Sequence, residues 1–246
     1  MNYGTPFPVG NPYRGSIEMS IDPVSGDDPG KERQGIVAHI YTDNLHMRSV
    51  QVTGDVEHYS QLFGRPENMK NYGSGQPWGS DKVEQRVKGW SDRWRDGNPF
   101  SGFAIFQRDV SEVVQDSEAF IGHATLGLGE SRAYDDNTDA GYAEITYVID
   151  QKFWGKGYGK QATAAVVNGA APEYKKQGFK VVTGFQDAPP KPLPLEWLTA
   201  TASPENMGSI KILTGLGFEC KDIAERVFLE TKLERAYFAR TVPMST

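Results

Sequence analysis

The chain places three glycines within five positions, after an apolar run and before a helix-forming stretch. From residue 150 this segment reads D-Q-K-F-W-G-K-G-Y-G-K-Q-A and contains Gly155, Gly157 and Gly159. Glycine weakens regular structure, so this density indicates a backbone conformation or a close approach that a side chain would prevent. Backbone N–H groups that converge at a helix start, where the helix dipole is positive, can bind phosphate. Lys156 and Lys160 would add positive charge beside them.

Two widespread phosphate-binding patterns do not fit this segment. A Walker-type loop, G-x-x-x-x-G-K-[ST], would need glycine and a hydroxyl residue where the chain has Trp154 and Gln161. A dinucleotide fingerprint, G-x-G-x-x-G, would need a small residue at Lys160 and an acidic residue at the end of the next strand, V-V-T. Two interpretations of the glycine segment remain open. It is either a nest of N–H groups that binds a pyrophosphate or a glycine-rich connection without a ligand.

A second segment, residues 204–218, reads P-E-N-M-G-S-I-K-I-L-T-G-L-G-F. Together the two segments resemble the GCN5-related N-acetyltransferase (GNAT) superfamily, and most of all its RimJ/RimL branch of ribosomal-protein N-terminal acetyltransferases. In that family the first motif is roughly [Q/R]-x-x-G-x-[G/A], and the second is N-x-x-[S/A] followed eight residues later by G-F. Asn206, Ser209, Gly217 and Phe218 fall at those spacings. The resemblance covers about residues 38–234. The two motifs are specific because they occur together in this order.

The resemblance implies a fold and a cosubstrate. The fold is the α+β (α/β) GNAT fold, in which a mixed central sheet is splayed at the cofactor site and carries helices on both faces. The cosubstrate is acetyl-CoA, and no metal is implied. Its pyrophosphate would lie against residues 155–160, which include Tyr158.

The same resemblance assigns further contacts with the cosubstrate. Tyr147, Val148 and Ile149, at the end of the preceding strand, would pair their main-chain groups with the pantetheine arm. Trp154 stands where the family usually has Arg or Gln, and the RimJ/RimL branch often has an aromatic residue there. Asn206 is by its chemistry a good helix N-cap, and the family adds a hydrogen bond to the pantetheine chain. The two roles can coexist.

The chemistry implied by the resemblance is direct transfer. An amine must lose its proton before it attacks a thioester, so a base or a relaying water is needed. Backbone N–H groups would hold the tetrahedral oxyanion, and the CoA thiolate would leave without a protein nucleophile. Glu144, in A-E-I-T-Y-V, is predicted as the base because the RimJ/RimL branch commonly has a glutamate there. A structural role for this strand carboxylate remains open.

The acid for the leaving thiolate is not the usual one. Many members of the superfamily place a tyrosine seven residues after the motif asparagine, and this chain has Leu213 there. Ser209 is the usual substitute in the branch, where it donates a hydrogen bond to the thiolate. Alternatively, Ser209 bonds back within its own helix turn.

The acceptor end of the site is assigned to residues 64–95, where this family shapes its acceptor pocket. Tyr72 and Trp78 fall in a predicted loop and are predicted to line the pocket. Trp90 and Trp94 recur at helical spacing, which is typical of core residues. The proline-rich insert 187–194 is predicted to be a loop on the rim.

Composition narrows the function classes. The chain has 246 residues, a net charge of −6 and one cysteine, Cys220, so it can form no internal disulfide or thiolate metal cluster. His46, His58 and His123 do not cluster in the sequence, so we predict no metal. The acidic balance argues against nucleic acid as a partner and favours neutral or cationic acceptors. The chain shows no secretory signal and no apolar stretch of about 20 residues, so we expect a cytoplasmic protein without a membrane partner.

The pattern predicts an irregular extension over residues 1–34 and one acetyltransferase domain over residues 35–246. Alternating and apolar runs predict strands at 36–41, 45–50, 100–108, 119–128, 141–149, 181–185 and 195–202, with a closing antiparallel pair at 218–223 and 226–233. Helical spacing predicts helices at 55–63, 81–95, from the glycine segment to Gly178, and at 204–215.

Three functions remain as hypotheses. The first is an acetyl-CoA-dependent N-acetyltransferase that acts on a primary amine, at a protein N-terminus or on a cationic or neutral small molecule. The alternative is a catalytically degenerate CoA-binding sensor or interaction module, which the change at Leu213 keeps open. An unrelated nucleotide-phosphate protein is disfavoured by the loop mismatches. The sequence leaves monomer and homodimer equally open.

Overall fold

The computed structural model describes residues 6–24, 35–108, 119–127, 140–183, 191–228 and 231–243. Within these residues the strands are β1 Ile17–Val24, β2 Gly35–Thr42, β3 Leu45–Ser49, β4 Gly102–Gln107, β5 Ala119–Gly127, β6 Gly141–Ile149, β7 Lys180–Thr183, β8 Lys191–Ala202, β9 Glu219–Phe228 and β10 Thr231–Thr241. The helices are α1 Val52–Phe63, α2 Pro66–Met69, α3 Ser80–Arg95, α4 Tyr158–Ala165, α5 Ala171–Lys176 and α6 Met207–Gly215, with a 3₁₀ turn at Gln151–Phe153 and a π turn at Val166–Ala170.

The strands form one mixed sheet in the order β1-β2-β3-β4-β5-β6-β8-β10-β9, and β7 pairs with the first part of β8. Neighbouring strands are antiparallel except β6 and β8, which are parallel. Parallel neighbours need a crossover connection, and here the chain crosses one face through α4 and α5 before it returns as β7. This mixed sheet, with helices on both faces, confirms the predicted fold class.

β6 and β8 separate part-way along their length. Their ladder runs from the Gly141–Leu195 pair to the Glu144–Thr199 pair and ends there. Beyond this point β6 continues along β5, while β8 continues along β10. Because each strand keeps one neighbour and loses the other, the sheet opens into a wedge, as predicted.

Each face of the sheet carries its own hydrophobic cluster. On one face α4 presents small residues such as Ala162 and Ala165, which let the helix backbone lie close to the sheet. On the other face α1, α2 and α3 bury larger side chains, namely Tyr59, Phe63, Met69, Val83, Val87 and Trp90. Trp90 and Trp94 are both buried, which confirms their predicted place in the core.

The helix predicted from the glycine segment to Gly178 is interrupted by the π turn Val166–Ala170. Pro172 has no N–H to bond the carbonyl of residue 168, and its ring crowds that carbonyl. A π turn just before the proline accommodates this missing bond. Gly178 ends the helical stretch with a left-handed φ of 75°, as expected of a glycine at a helix end.

The prediction of an irregular extension over residues 1–34 is wrong for Ile17–Val24, which pairs with β2 as an antiparallel edge strand. Ile17, Met19 and Ile21 alternate with polar residues and pack against the main core. This alternation is a strand signal, but the surrounding Pro, Gly and Asp residues obscured it.

The segment before β1 packs against the end of α6. The Gly10 N–H donates to Thr214 Oγ1 at 2.8 Å, and the Phe7 and Phe238 ring centroids lie 5.9 Å apart. A Cβ built on Gly10 would lie 1.6 Å from the Lys211 carbonyl oxygen. Glycine is therefore required where this segment crosses the helix.

Two further predictions are corrected. Lys191–Pro194, predicted as part of a loop, is the start of β8 and pairs with β7, whereas residues 187–190 lie outside the described residues. Alternate residues of a strand direct their N–H groups to opposite edges, so Pro192 and Pro194 remove donors from one edge only. The final antiparallel pair is β9 and β10, and β9 extends to Phe228 rather than ending at residue 223, because the polar stretch around residue 225 continues the strand.

Cys220 is buried in β9, and burial raises the pKa of its thiol. The thiol is therefore protonated at neutral pH, and it does not line the cavity described below. No helix among the described residues has the length and apolar character needed to cross a bilayer.

His123 is a fully buried imidazole in the aromatic cluster beneath α1 and α3. Its Nδ1 lies 2.7 Å from the Tyr59 hydroxyl and 3.1 Å from the Phe103 carbonyl oxygen, and its ring centroid is 4.2 Å from that of Trp90. Burial lowers the pKa of His123 from 6.5 to about 3, although the hydrogen bond with Phe103 opposes the shift.

We predict that His123 makes stability fall in mild acid. Below pH 6.5 the imidazole binds a proton in the unfolded chain but stays neutral in the folded protein. The free energy of unfolding therefore decreases as the pH falls from 6.5 towards 3. The loss from this group between pH 8 and pH 5 should be about 2 kcal/mol. Urea unfolding at both pH values should show a smaller pH-dependent loss in His123→Asn, whose amide cannot titrate. An equal loss in both proteins would contradict the prediction.

Candidate active site

A cavity of about 820 Å³ occupies the wedge between β6 and β8. Its walls are β6 from Glu144 to Ile149, the end of β8, the glycine segment, the first turn of α6, and the region from Glu67 to Arg93. Every residue predicted for the site lines this cavity, with the exception of Lys156. The structure therefore brings the two sequence motifs and the predicted acceptor loop to one place.

The glycine segment uses left-handed backbone at two positions. The φ angle is 77° at Gly155 and 81° at Gly157, a region that costs other residues roughly 1–2 kcal/mol. Gly157 is the N-cap of α4, and among the described residues no side chain caps this helix. The N–H groups of its first turn are thus left for another partner at the cavity wall. Gly159 differs from these two, because its φ is not left-handed and a Cβ there would make an ordinary van der Waals contact with Ile212 Cδ1 at 3.4 Å.

The turn between β6 and the glycine segment is held by side chains at both ends. The Trp154 indole N–H donates to the Ile149 carbonyl at 2.7 Å, so Trp154 ties the turn to the end of β6. Asp150 accepts the Lys152 N–H at 3.1 Å and forms an ion pair with Arg65 at 2.5 Å.

Asn68 joins this turn to α1. Its Oδ1 accepts the Gln151 N–H at 2.8 Å, and its Nδ2 donates to the Leu62 carbonyl at 2.9 Å. The side chain is buried, so both backbone groups depend on it for a partner. The position of the glycine segment is therefore coupled to the helices on the acceptor side.

The first turn of α6 brings a hydroxyl pair into the cavity. Asn206 Oδ1 accepts the Ser209 N–H at 3.1 Å, which confirms the predicted helix cap. Ser209 Oγ lies 2.6 Å from the Tyr147 hydroxyl, a contact to β6 rather than a bond back within its helix. Burial raises the pKa of Tyr147 to about 12, although hydrogen bonds with Ser209 and Thr163 lower it. The phenol is therefore protonated at neutral pH and can donate.

Glu144 is the last residue of β6 that pairs with β8, and its buried side chain lines the cavity at the point of the wedge. Thr201 Oγ1 donates to Glu144 Oε1 at 3.4 Å. Two residues further along β6, Thr146 Oγ1 lies 3.3 Å from the Tyr72 hydroxyl and 2.7 Å from Thr125 Oγ1. A carboxylate and a row of hydroxyls thus face the same side of the strand.

Residues 34–219 match the family model described as the acetyltransferase (GNAT) domain. The match covers more than half of the chain. The chain belongs to the GNAT acetyltransferase family. Among curated proteins no sequence matches.

Solved structures of GNAT acetyltransferases share the fold. A GNAT-family acetyltransferase from Bacillus anthracis has a TM-score of 0.55 at 16% identity and covers 82% of this chain and 98% of its own. The ribosomal protein acetyltransferase RimL, in complex with coenzyme A, has a TM-score of 0.55 at 15% identity and covers 81% and 95%. The microcin self-immunity acetyltransferase MccE, in complex with acetyl-CoA and AMP, has a TM-score of 0.56 at 11% identity and covers 81% and 93%.

These findings confirm the predicted superfamily and the class of enzyme, an acetyltransferase. RimL proteins are among the structures that share the fold, in agreement with the resemblance to the RimJ/RimL branch. The side chain of Lys156 does not line the cavity, and its ammonium lies 5.3 Å from the Phe153 ring centroid. Its contact with phosphate stays a prediction. Among the described residues, no group of three His, Cys, Asp or Glu side chains could hold a metal ion.

Two features of this cavity were missed from the sequence. The side chain of Tyr147 was not considered, although alternation along β6 puts it on the face opposite Glu144, towards α4 and α6. The cations Lys82, Arg86 and Arg93 also line the cavity. Their spacing on a predicted helix, together with Trp78 and Trp90, is the signal that could have identified them.

We predict that Asn68→Ala destabilises the protein by about 2 kcal/mol, because the Leu62 carbonyl and the Gln151 N–H both lose their partner. Denaturant unfolding would measure the loss. Asn71→Ala is the matched control, since Asn71 is exposed and should change stability by less than about 0.5 kcal/mol. Equal effects of the two substitutions would contradict the role of Asn68 as a link between α1 and the turn.

Proposed function

We propose that this acetyltransferase transfers the acetyl group of acetyl-CoA directly to a primary amine, at a protein N-terminus or on a small molecule. The observation that carries the proposal is the end of the β6–β8 ladder at Glu144. It leaves an open strand edge with a buried carboxylate at one end and the glycine segment at the other. The six residues from Glu144 to Ile149 span about 17 Å.

The open edge of β6 suits an arm that contains amide groups. Tyr147, Val148 and Ile149 line the cavity and have lost β8 as a neighbour, so main-chain groups on that edge need another partner. The pantetheine arm of CoA would supply it. The Ile149 carbonyl already accepts from Trp154, so Tyr147 and Val148 are the better candidates.

The glycine segment suits the diphosphate. The uncapped N-terminus of α4 follows the left-handed turns at Gly155 and Gly157, and both features concentrate N–H donors where the helix dipole is positive. Lys160 lines the cavity in the first turn of α4 and can add charge. Acetyl-CoA bound in this way would present its thioester towards Glu144 and the Tyr147–Ser209 pair.

We assign the general base to Glu144. The acceptor amine would give its proton to the carboxylate, directly or through one water, as its nitrogen attacks the thioester carbon. The hydrogen bond from Thr201 orients the carboxylate. The new C–N bond forms, the C–S bond breaks, and the sulfur leaves as a thiolate that must be protonated or hydrogen-bonded.

The Tyr147–Ser209 hydroxyl pair can donate a hydrogen bond or a proton to that thiolate. Leu213 lines the cavity where many superfamily members have a tyrosine, so this position offers no proton. Ser209 stands one turn earlier on the same helix, and its hydroxyl is 2.6 Å from that of Tyr147. A proton passed to the thiolate by Ser209 could be replaced through Tyr147.

The alternative, a CoA-binding module without catalysis, is favoured only by Leu213. Thiol release distinguishes the two, because a sensor would bind CoA tightly and release no thiol from acetyl-CoA with any amine. The buried Glu144 and the hydroxyl pair at the same cavity support the enzyme.

We predict that Gly157→Asp weakens CoA binding at least tenfold more than Gly157→Asn does. Asn and Asp both tolerate left-handed backbone, so the pair differs in the charge placed at the converging N–H groups. Isothermal titration calorimetry with CoA measures the difference. Equal binding by the two variants would remove the glycine segment from the phosphate site.

We predict that Glu144→Gln lowers kcat by about 10²–10⁴-fold, leaves CoA affinity within twofold, and removes the acidic limb of the pH–rate profile. Thiol release from acetyl-CoA at several pH values provides the measurement. Glu57→Gln, on the exposed face of α1, is the charge-matched control and should leave the rate unchanged. An unchanged rate and pH profile in Glu144→Gln would show that Glu144 is not the base.

A further inference from the structure

Three cationic side chains on one face of α3 line the acceptor half of the cavity. Lys82, Arg86 and Arg93 lie at positions i, i+4 and i+11, which share one side of a helix. The Trp78 ring supports the first two, since Lys82 Nζ is 4.5 Å and Arg86 Cζ 6.0 Å from its centroid. These side chains are therefore held at the cavity wall.

Within the described parts of the chain, these three charges have no counterion. In the part of the chain that the structure describes, none of Lys82, Arg86 and Arg93 forms an ion pair. On the other side of the same helix, Lys88 and Arg95 both pair with Asp92, at 2.5 Å and 2.8 Å. On this helix, the cations that form ion pairs therefore lie on one side, and the cations that line the cavity lie on the other.

The three cations also repel one another. Burial lowers the pKa of both Lys82 and Arg93, and the charge of Arg86 lowers each of them further. A cluster of like charges in a partly buried wall is unfavourable until an anion enters it. The carboxylates Glu67 and Glu144 line the same cavity. Among the described residues, no ion pair joins Glu67 to this cluster.

Arg93 lies near the reacting end of the cavity, at the Glu144 end of β6 rather than at the glycine segment. A Cβ built on Gly127 would lie 3.8 Å from Arg93 Nη1, and Gly127 pairs with Glu144. The glycine segment follows Ile149, about 17 Å further along β6. Arg93 therefore lies too far away to form part of the diphosphate cradle, and Lys82 and Arg86 line the cavity from the same face of α3.

The phenol of Tyr72 is influenced by both the Glu144 carboxylate and the Arg86 cation. Its pKa is raised, mainly by burial; the hydrogen bond with Thr146 and the charge of Arg86 lower it, and the charge of Glu144 raises it. Both charges thus act on one phenol. A ligand beside Tyr72 would therefore have both a negative and a positive group nearby.

We propose that the acceptor carries an anionic group, a carboxylate or a phosphate, which binds Lys82, Arg86 and Arg93 while its amine faces Glu144. The inference rests on the proposed function, because it assigns the substrate class of the same site. It replaces the cationic acceptor expected from the net charge of −6, since that charge belongs to the whole surface. The charges at the cavity wall decide what binds there.

The test compares matched acceptors by kcat/KM for thiol release, corrected for the fraction of free amine. One set is 3-aminopropanol, 4-aminobutyrate, 2-aminoethyl phosphate and 1,4-diaminobutane; the other is alanyl dipeptide amides with serine, aspartate, phosphoserine or lysine second. We expect at least a tenfold preference for the anionic members over the neutral one, and the preference should weaken as salt is added. The carboxylate and phosphate arms distinguish the two anions.

Variants of Arg86 test the assignment directly. Arg86→Gln should lower kcat/KM for the anionic members about tenfold and leave the neutral members within twofold, and Arg86→Glu should shift the preference towards the cationic members. Lys88→Gln removes the same charge from the other side of α3 and should keep the preference. A wild-type preference for neutral or cationic acceptors, or an equal loss on all acceptors in Arg86→Gln, would overturn the inference and leave acetyl transfer intact.

A second measurement covers the case in which no acceptor in the panel is acetylated. Inorganic phosphate and glutarate are titrated by calorimetry into protein saturated with CoA, so that the diphosphate site is already filled. Binding by the wild type and by Lys88→Gln, and its loss in Arg86→Gln, would support the anionic subsite. Absence of binding in the wild type would overturn it, whereas failure to bind CoA itself would overturn the proposed function instead.

Discussion

β8 pairs with three different strands along its length, and the residue at which it leaves β6 sets the position of every group in the cavity. Its first part pairs with β7, its middle with β6 as far as Thr199, and its end with β10. Sheets twist with a fixed hand, so a strand that keeps β10 turns progressively away from β6. α6 begins just after β8 and places Ser209 against Tyr147. The wedge is thus occupied from one side by a helix and cannot close into a continuous sheet.

An open edge within a sheet has an energetic consequence. Strand N–H and C=O groups need partners, and a buried group without one costs about 1–3 kcal/mol. Water in the cavity can satisfy the edge of β6 between Glu144 and Ile149, and a ligand with its own amide groups can replace that water. The feature that interrupts the sheet is therefore also the feature that makes an extended ligand fit. In the proposed function, the Glu144 carboxylate, at the end of the β6–β8 ladder, would lie at one end of that ligand.

The parts of the site that could be predicted from the sequence are those whose cause is local. Gly155 and Gly157 are glycine because of their own φ angles, and Asn206 caps the helix that starts one residue later. The pairing of Tyr147 with Ser209 joins residues 62 positions apart, so no local pattern reveals it. The strand Ile17–Val24 was missed for a related reason. Its apolar and polar residues alternate, but this alternation identifies a strand only once its pairing with β2 is known.

Spacing on α3 can identify the cations, but which of them are neutralised by an ion pair could not be predicted from the sequence. Whether a lysine or arginine is neutralised depends on which carboxylates the fold brings near it. Lys88 and Arg86 look alike in the sequence, but among the described residues only Lys88 of these two forms an ion pair. Net charge adds up all residues regardless of place, and charges on the exposed surface are screened over about 10 Å in salt. A ligand in the cavity therefore experiences mainly the few groups that line it.

The segment before residue 34 lies outside the part that matches the GNAT family model, yet it contacts the helix that carries Ser209. Gly10 bonds Thr214 near the C-terminal end of α6, while Asn206 caps the N-terminal end. A nine-residue helix fixed at both ends has little freedom to rotate about its axis or to slide along it. The Ser209 hydroxyl needs that restraint, because a hydrogen bond of 2.6 Å to Tyr147 tolerates only small displacements. Residues 6–24 therefore act on the cavity by holding α6 in place, although none of these described residues lines it.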